Sequence, residues 1–328
     1  MKVLTTIKLW GLGALLVGAL SPAFALAVGL GPLVDPQTLN EALEQNTTQS
    51  APLVLDIRTG NAPDSELSNY ESGHIPGAVH APYNTFRGPA NNPGQLLTER
   101  ALSDLLSSLG ITAQQPVVVV HQGKNETDFG AAARVYWTLK SSGVRNLSIL
   151  NGGVNAWQEA GLSLEQGAGP TITPSSYNVS FSSNWLATVD DIKTEINNQR
   201  GSLVDARPEA FWKGNAKHNA AARPGTIPTS RYFTHSRWFD NNAPAKLDAD
   251  TAAALASDNG FRQGQPYISF CNTGHWAATN WFVLSEVVGL DDVKLYPESM
   301  VGYSHAGEQM ANVPGTVRNL WNKVTGKY

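Results

Sequence analysis

Apolar positions in this chain fall into short, unbroken runs that end on a charged or polar residue. Between these runs lie longer stretches with apolar residues three or four apart. Pro52-Leu53-Val54-Leu55-Asp56-Ile57-Arg58 is a run of the first kind, and Pro116 to Val120, ending at His121, is another. Such runs predict strands buried on both faces. Thr98 to Leu109 is of the second kind. Its apolar residues at 101, 102, 105, 106 and 109 form one helical stripe, and Gly110 is a stop. Thr38 to Gln45 and Ala131 to Lys140 also predict helices. Gly73-His74-Ile75-Pro76-Gly77-Ala78-Val79 predicts a Pro-Gly turn leading into a short strand. Leu147 to Leu150 predicts a strand, followed by Asn151-Gly152-Gly153 and a helix holding Trp157. Strands alternating with helices predict an α/β fold with a mainly parallel sheet flanked by helices.

The pattern then starts again. Thr188 and Asp191 form a capping pair for a helix to Gln199. Ser202-Leu203-Val204-Asp205-Ala206-Arg207 repeats the Asp-x-Arg strand, and Pro224-Gly225-Thr226-Ile227-Pro228 repeats the turn. Ala252 to Asn259 repeats the mid-domain helix, Tyr267 to Cys271 the valine strand, and Val293 to Tyr296 the strand before Asn151. Asp56 to Asp205 is 149 residues, Pro76 to Pro224 is 148, His121 to Cys271 is 150 and Leu150 to Tyr296 is 146. Constant spacing in constant order makes the chain two copies of one α/β unit. The expected organisation is a first domain over 30–165, a linker over 166–184 and a second domain over 185–328. Gly, Pro, Ser and Thr enrich the linker, and Tyr177 to Phe181 is a candidate strand within it.

Cys271 is the only cysteine in 328 residues. The run Tyr267 to Phe270 leads into it. Ala277, Trp281, Leu284 and Val288 follow at helical spacing, and Gly289 is a stop. The thiol is therefore placed where a strand ends and a loop turns into a helix. Unpaired backbone N–H groups at a helix start stabilise an anion, and a thiolate is an anion. The bland alternative is a small buried hydrophobe. The first copy supplies a comparison, because the same strand ends there on His121. Its following loop, His121 to Asp128, reads as the longer one. If the thiol is the working group, only the second copy works, and the first is structural or lends residues across the interface.

The N-terminus adds a compartment. Lys2 and Lys8 supply a positive region before an apolar run, Leu9 to Leu20, too short for a membrane span, and Ala23-Phe24-Ala25 offers a small-residue cleavage pattern. Residues 1–25 are read as a cleaved secretory signal, making the mature protein periplasmic or secreted with no lasting membrane association. Without Lys2 and Lys8 there are 21 Lys and Arg against 27 Asp and Glu, which argues against nucleic-acid binding. A lone cysteine makes no internal disulfide, so an exported thiol is left over and needs a reason.

These motifs together resemble the rhodanese (sulfurtransferase) family in its tandem two-domain form. The resemblance rests on Leu55-Asp56-Ile57-Arg58, Val204-Asp205-Ala206-Arg207, Gly73 to Ala78, Leu150-Asn151-Gly152-Gly153 before Trp157, and Cys271-x-x-Gly274. It implies an inactive first domain and a catalytic second one. Cys271 would take the sulfane sulfur of thiosulfate or 3-mercaptopyruvate as a persulfide, then pass it to cyanide or another thiophilic acceptor, with no metal or organic cofactor. It implies donor binding by Arg207 and by the loop Asn272, Thr273, Gly274, His275 and Trp276. The partners implied are a small anionic sulfur donor, a thiophilic acceptor and, as a further candidate, a protein acceptor. Lys213, Arg231 and Arg237 are weaker candidates, read as solvated charges. The sequence departs from the family at Asn272 and Thr273, where thiosulfate-type members carry cations, and at His275-Trp276, where small residues are usual. His275 is read either as a protonated anion holder or aid to the thiol, or as a loop residue bonded to backbone. Trp276 is read as shaping or covering the pocket. The competing readings are a non-catalytic persulfide carrier or binding protein, a Cys–His hydrolase, and a rhodanese-fold phosphatase. The phosphatase would need Cys-x5-Arg, and Ala277 stands where that arginine belongs.

Overall fold

The computed structural model describes residues 29–45, 51–200 and 202–326; the proposed signal segment lies outside them. The first copy builds a five-stranded sheet from β1 (Leu33–Val34), β2 (Leu53–Asp56), β3 (Val79–His80), β4 (Val117–Val120) and β5 (Leu147–Leu150), in the order β1-β5-β4-β2-β3. The second builds a four-stranded sheet from β6 (Leu203–Asp205), β7 (Arg231–Tyr232), β8 (Tyr267–Phe270) and β9 (Val293–Leu295), in the order β7-β6-β8-β9. Every pairing between these strands is parallel. A single bridge from Leu186 to Leu295 stands where the first copy has β1.

Helices cover both faces of each sheet, as the alternation of β4 shows. Val118 and Val120 join a core closed by α1 (Pro36–Glu44) and by α5 (Gly153–Glu159), which carries Trp157. Val117 and Val119 point the other way, under α3 (Glu99–Ser108) and α4 (Glu126–Ser141). A short α2 (Asn69–Ser72) with a full capping box precedes the first Pro-Gly turn. In the second copy, α6 (Val189–Asn198) starts on the Thr188–Asp191 capping box. The short α7 (Glu209–Trp212) follows β6, and α8 (Ala249–Asp258) follows β7. After β8 comes α9 (Trp276–Phe282), which continues as a π-helical turn over Val283–Val287. After β9 come α10 (Ser299–His305) and a terminal α11 (Thr316–Val324).

The two copies share a core. Phe129 and Tyr136 of α4 meet Phe282 of α9 edge to face, with centroids 5.7 and 4.9 Å apart. Trp137 and Trp281 are fully buried in the same cluster. Replacing Phe282 by alanine would cost on the order of 3–5 kcal/mol, transfer and cavity terms together. Polar groups seal the rim, where Tyr136 Oη and Lys140 Nζ both donate to Glu286.

Two expectations are corrected. Tyr177 to Phe181, within the segment that joins the two copies, is not a strand. The segment runs along α3 and satisfies its amides from side chains: Tyr177 N–H donates to Ser107 Oγ, Val179 N–H to Ser103 Oγ and Phe181 N–H to Glu99 Oε1. Its Tyr177 and Val179 side chains are buried against the shared core. The loop after His121 is also not longer than its twin. Loops 121–125 and 271–275 have the same length, and α4 and α9 start 150 residues apart. Polar residues in the first turns of α4 give the sequence the look of an extended loop, although Asn125 caps that helix.

Candidate active site

Parallel register places the Asp-x-Arg motif beside the strand that carries the cysteine. Asp205 pairs with Phe270, so the residues following each strand face one another across the sheet's C-terminal edge. This is where open α/β sheets form their binding crevices. Cys271 lies there with 1% of its surface exposed.

Ser299 fixes the loop, and sequence reasoning missed it. Its Oγ accepts from the N–H groups of Cys271 and Gly274 at 3.0 and 3.1 Å and donates to the Tyr296 carbonyl at 2.8 Å. Ser299 is fully buried and sits at φ +50°, a left-handed conformation that costs a non-glycine residue about 1–2 kcal/mol. Its twin is Gly153, at φ +60°, where a Cβ would collide with the His121 carbonyl. The signal was in the repeat, since Ser299 replaces the last glycine of Asn151-Gly152-Gly153. With Ser299 holding two amides, those of Asn272, Thr273, His275, Trp276 and Ala277 have no acceptor among the described residues. They leave the cysteine loop with an open set of donors.

The first copy has filled the corresponding loop. The Asp128 carboxylate accepts from the N–H groups of Gly123 and Lys124 and bonds to His121 Nδ1 at 3.0 Å. Burial alone would raise this carboxyl, but those bonds outweigh it and hold it down to about 2. An internal anion therefore occupies the first loop. Ala278 stands 150 residues on, so no carboxylate takes that place in the second.

The first copy also grips the cysteine loop from outside. Arg87 Nη2 donates to the Thr273 carbonyl at 2.8 Å. Arg134, fully buried on α4, donates through Nη1 to the Thr273 and Gly274 carbonyls and through Nη2 to the Gly94 carbonyl. Burial and the nearby Arg87 lower the Arg134 guanidinium to about 9, still protonated at neutral pH. Neither arginine has a carboxylate partner among the described residues. The visible signal was an arginine inside the mostly apolar stretch from Phe129 to Leu139.

His275 and Trp276 are interface residues. His275 Nε2 donates to the Thr127 carbonyl at 2.7 Å, so Nδ1 accepts from Tyr83 Oη, also at 2.7 Å. Burial, then repulsion from Arg87, holds the imidazole down to about 3. Of the two readings of His275, this geometry fits the loop residue bonded to backbone: burial disfavours the protonated ring, and both nitrogens have partners. Gly130 makes room for it, because a Cβ there would lie 3.1 Å from the ring. Trp276 Nε1 donates to Thr127 Oγ1, and its indole stacks on His235 with centroids 4.9 Å apart. Phe211 adds an edge contact. These rings wall one side of the loop.

Arg207, expected either to bind the donor or to pair with a carboxylate of its own domain, is engaged within the fold. It is 2% exposed and spends Nε and Nη2 on Asp205, Nη2 also on the Gly225 carbonyl, and Nη1 on Asn272 Oδ1 at 3.4 Å. Arg58 repeats this set with Asp56, the Gly73 carbonyl and Gln122 Oε1. An arginine doing the same work in both copies is a scaffold for the loop, and its burial leaves a donor little access. Lys213 pairs with Glu209 at the surface. Arg231 is half-buried over Phe261 and bonds to the Asn259 carbonyl, whereas Arg237 is exposed, lying over Phe233 and bonding to Asn259 Oδ1.

Comparison with known proteins agrees with this layout. The rhodanese-like domain matches residues 35–160 and again 188–306. The chain is 27% identical over 311 residues to a putative thiosulfate sulfurtransferase of Synechococcus elongatus, covering 92% of this chain and 91% of that protein. It is 26% identical over 250 residues to the 3-mercaptopyruvate sulfurtransferase of Escherichia coli, covering 74% and 85%. Its fold superimposes on the crystal structure of Escherichia coli SseA with a TM-score of 0.68 at 22% identity, over 82% of this chain and 98% of that one.

Proposed function

The chain belongs to the rhodanese-like family, and from that premise we propose a sulfurtransferase whose sulfur is carried on Cys271. The Cys271 thiolate attacks the outer sulfur of thiosulfate. The S–S bond of the donor breaks, and sulfite leaves with the bonding pair. The product is a cysteine persulfide, whose negative charge the free amides from Asn272 to Ala277 receive. A thiophile such as cyanide then attacks the outer sulfur, thiocyanate leaves, and the thiolate returns. No external oxidant or reductant enters. This is covalent catalysis in two steps, with ping-pong kinetics.

The observation that carries the reading is the contrast between the loops. The same five-residue turn is filled by Asp128 in the first copy and left open around Cys271 in the second. The departures at Asn272 and Thr273 leave the loop without its own cations. We assign the positive field around the sulfur to Arg87 and Arg134 of the first copy. Thiosulfate is proposed as donor, with 3-mercaptopyruvate as the competitor. Export to the periplasm or beyond is proposed on the residue pattern of positions 1–25. A thiocyanate assay with both donors tests the activity. Turnover by the wild-type chain and none by Cys271→Ser is expected; equal turnover by the two would overturn the assignment. A persulfide that forms but does not turn over with small acceptors would favour a carrier that serves a protein acceptor.

A further inference from the structure

The terminal helix α11 is turned inside out. Asn322 is buried at 1% exposure and Arg318 Nη2 donates to the Lys213 carbonyl, so the polar side of the helix meets the protein. The opposite side carries Val317, Leu320, Trp321 and Val324, exposed at 84, 64, 62 and 75%. Val313, just before the helix, is 50% exposed. Positions 317, 320, 321 and 324 make a stripe at helical spacing. An aqueous surface does not favour such a stripe, and it is the main concentration of exposed large apolar side chains among the described residues. The helix also lies beyond the second rhodanese-like region, which ends at 306.

Charge indicates what covers it. From Gln309 to Tyr328 the sequence holds Arg318, Lys323 and Lys327 and no Asp or Glu, in a chain whose net charge is −4. Arg318 is turned to the protein, but by sequence two copies joined through this segment would bring two stretches of like net charge together. The apolar N-terminal segment carries Lys2 and Lys8 and brings positive charge too. An anionic lipid surface satisfies both properties at once. It takes apolar side chains and a tryptophan at the headgroup boundary and attracts Lys and Arg. Nine residues are too few to span a bilayer, and among the described residues no helix is long and apolar enough to cross one.

We propose that α11 docks the folded protein on anionic membrane surfaces, lying in the plane of the interface with Val317, Leu320, Trp321 and Val324 inserted. This departs from the expectation of a chain without lasting membrane association.

Cys271 is the only thiol, so a Cys271→Ser background allows one dye to be placed at will. An environment-sensitive dye on Val324→Cys is compared with one on Thr112→Cys, an exposed site on the first copy. Each full-length chain is titrated with vesicles of phosphatidylcholine alone or with added phosphatidylglycerol. The expected result is a blue shift at position 324 only, with phosphatidylglycerol only, and reversed by salt. Leu320→Glu/Trp321→Glu should weaken it at least about tenfold, from the apolar burial lost. Unchanged thermal melting would show that this variant is folded. Absence of a shift at 324, or equal shifts at 324 and 112, would overturn the proposal. So would a shift without vesicles that rises with protein concentration alongside a dimer in sedimentation, which would make a second copy the occupant.

Discussion

Arg134 of α4 reaches out of the first copy and donates through Nη1 to the carbonyl oxygen of Gly274, 3.2 Å away, inside the cysteine loop of the second. The peptide unit is planar, so holding the Gly274 carbonyl from outside turns the His275 N–H toward the other side. Ser299 holds the Gly274 N–H. One loop is thus clamped at alternate groups by two domains. Arg134→Met should lower kcat about tenfold or more with a smaller change in donor KM, because the loop geometry is lost. Arg134→Lys should not restore it, since a single ammonium cannot repeat the bonds made at once to Gly94 and Gly274. Steady-state kinetics check this, and an unchanged kcat in Arg134→Met would refute the clamp.

Gly274 itself is required by the clamp. It sits at φ +68°, and a Cβ there would collide with the Pro297 carbonyl oxygen and the Arg134 guanidinium. Gly274→Ala should abolish sulfur transfer while circular dichroism shows the sheets intact. Wild-type turnover in that variant would mean the loop is not held as described.

Ser299 separates strain from hydrogen bonding. Ser299→Ala keeps the left-handed strain and loses three hydrogen bonds, costing about 1–3 kcal/mol of stability. Ser299→Gly loses the same bonds but relieves the strain, so it should be less destabilised yet equally slow in persulfide formation. Urea unfolding and a single-turnover burst read the two effects. A Ser299→Gly enzyme with wild-type burst rate would exclude Ser299 from positioning the loop.

The neutral His275 sets a pH dependence. Its folded-state value, about 3, lies below the ordinary histidine value of 6.5. Between those values the unfolded chain binds more protons, so its contribution is complete above pH 6.5 and is lost as pH falls toward 3. Asp128 acts in a lower window, from the ordinary aspartate range to about 2. The melting temperature should therefore fall on acidification from pH 6.5 to 5, and fall less steeply in His275→Gln. Parallel slopes in the two proteins would contradict a buried neutral imidazole.

The filled first loop predicts that a thiol alone is not enough. His121→Cys in a Cys271→Ser background should form no persulfide, because Asp128 already occupies the Gly123 and Lys124 amides. Mass measurement after donor treatment decides this, and a sulfur adduct on residue 121 would show that the loop contrast carries no function.

Much of this fold was legible because parallel strands are buried on both faces. Val117 to Val120 and Tyr267 to Phe270 announce themselves as unbroken apolar runs. The repeat was legible from Asp56 and Asp205 onward because the same register is used twice. The roles of the loop residues were not. His275 looks like a titratable group in sequence, and only the partners Tyr83 and Thr127, 192 and 148 residues away, show that it is spent. Arg207 looks free until Asp205 and the Gly225 carbonyl are seen to claim it. The segment from Ser175 to Phe181 reads as a linker because its amides are satisfied by Ser103, Ser107 and Glu99, which no strand pattern records.

The sulfur is proposed to ride on Cys271. Intact-mass measurement of the wild-type chain after brief treatment with thiosulfate, without acceptor, decides this. An adduct of one sulfur atom, about 32 Da, is expected that maps to Cys271, disappears on adding cyanide and is absent from Cys271→Ser. An unmodified Cys271 in a chain that nonetheless produces thiocyanate would contradict it.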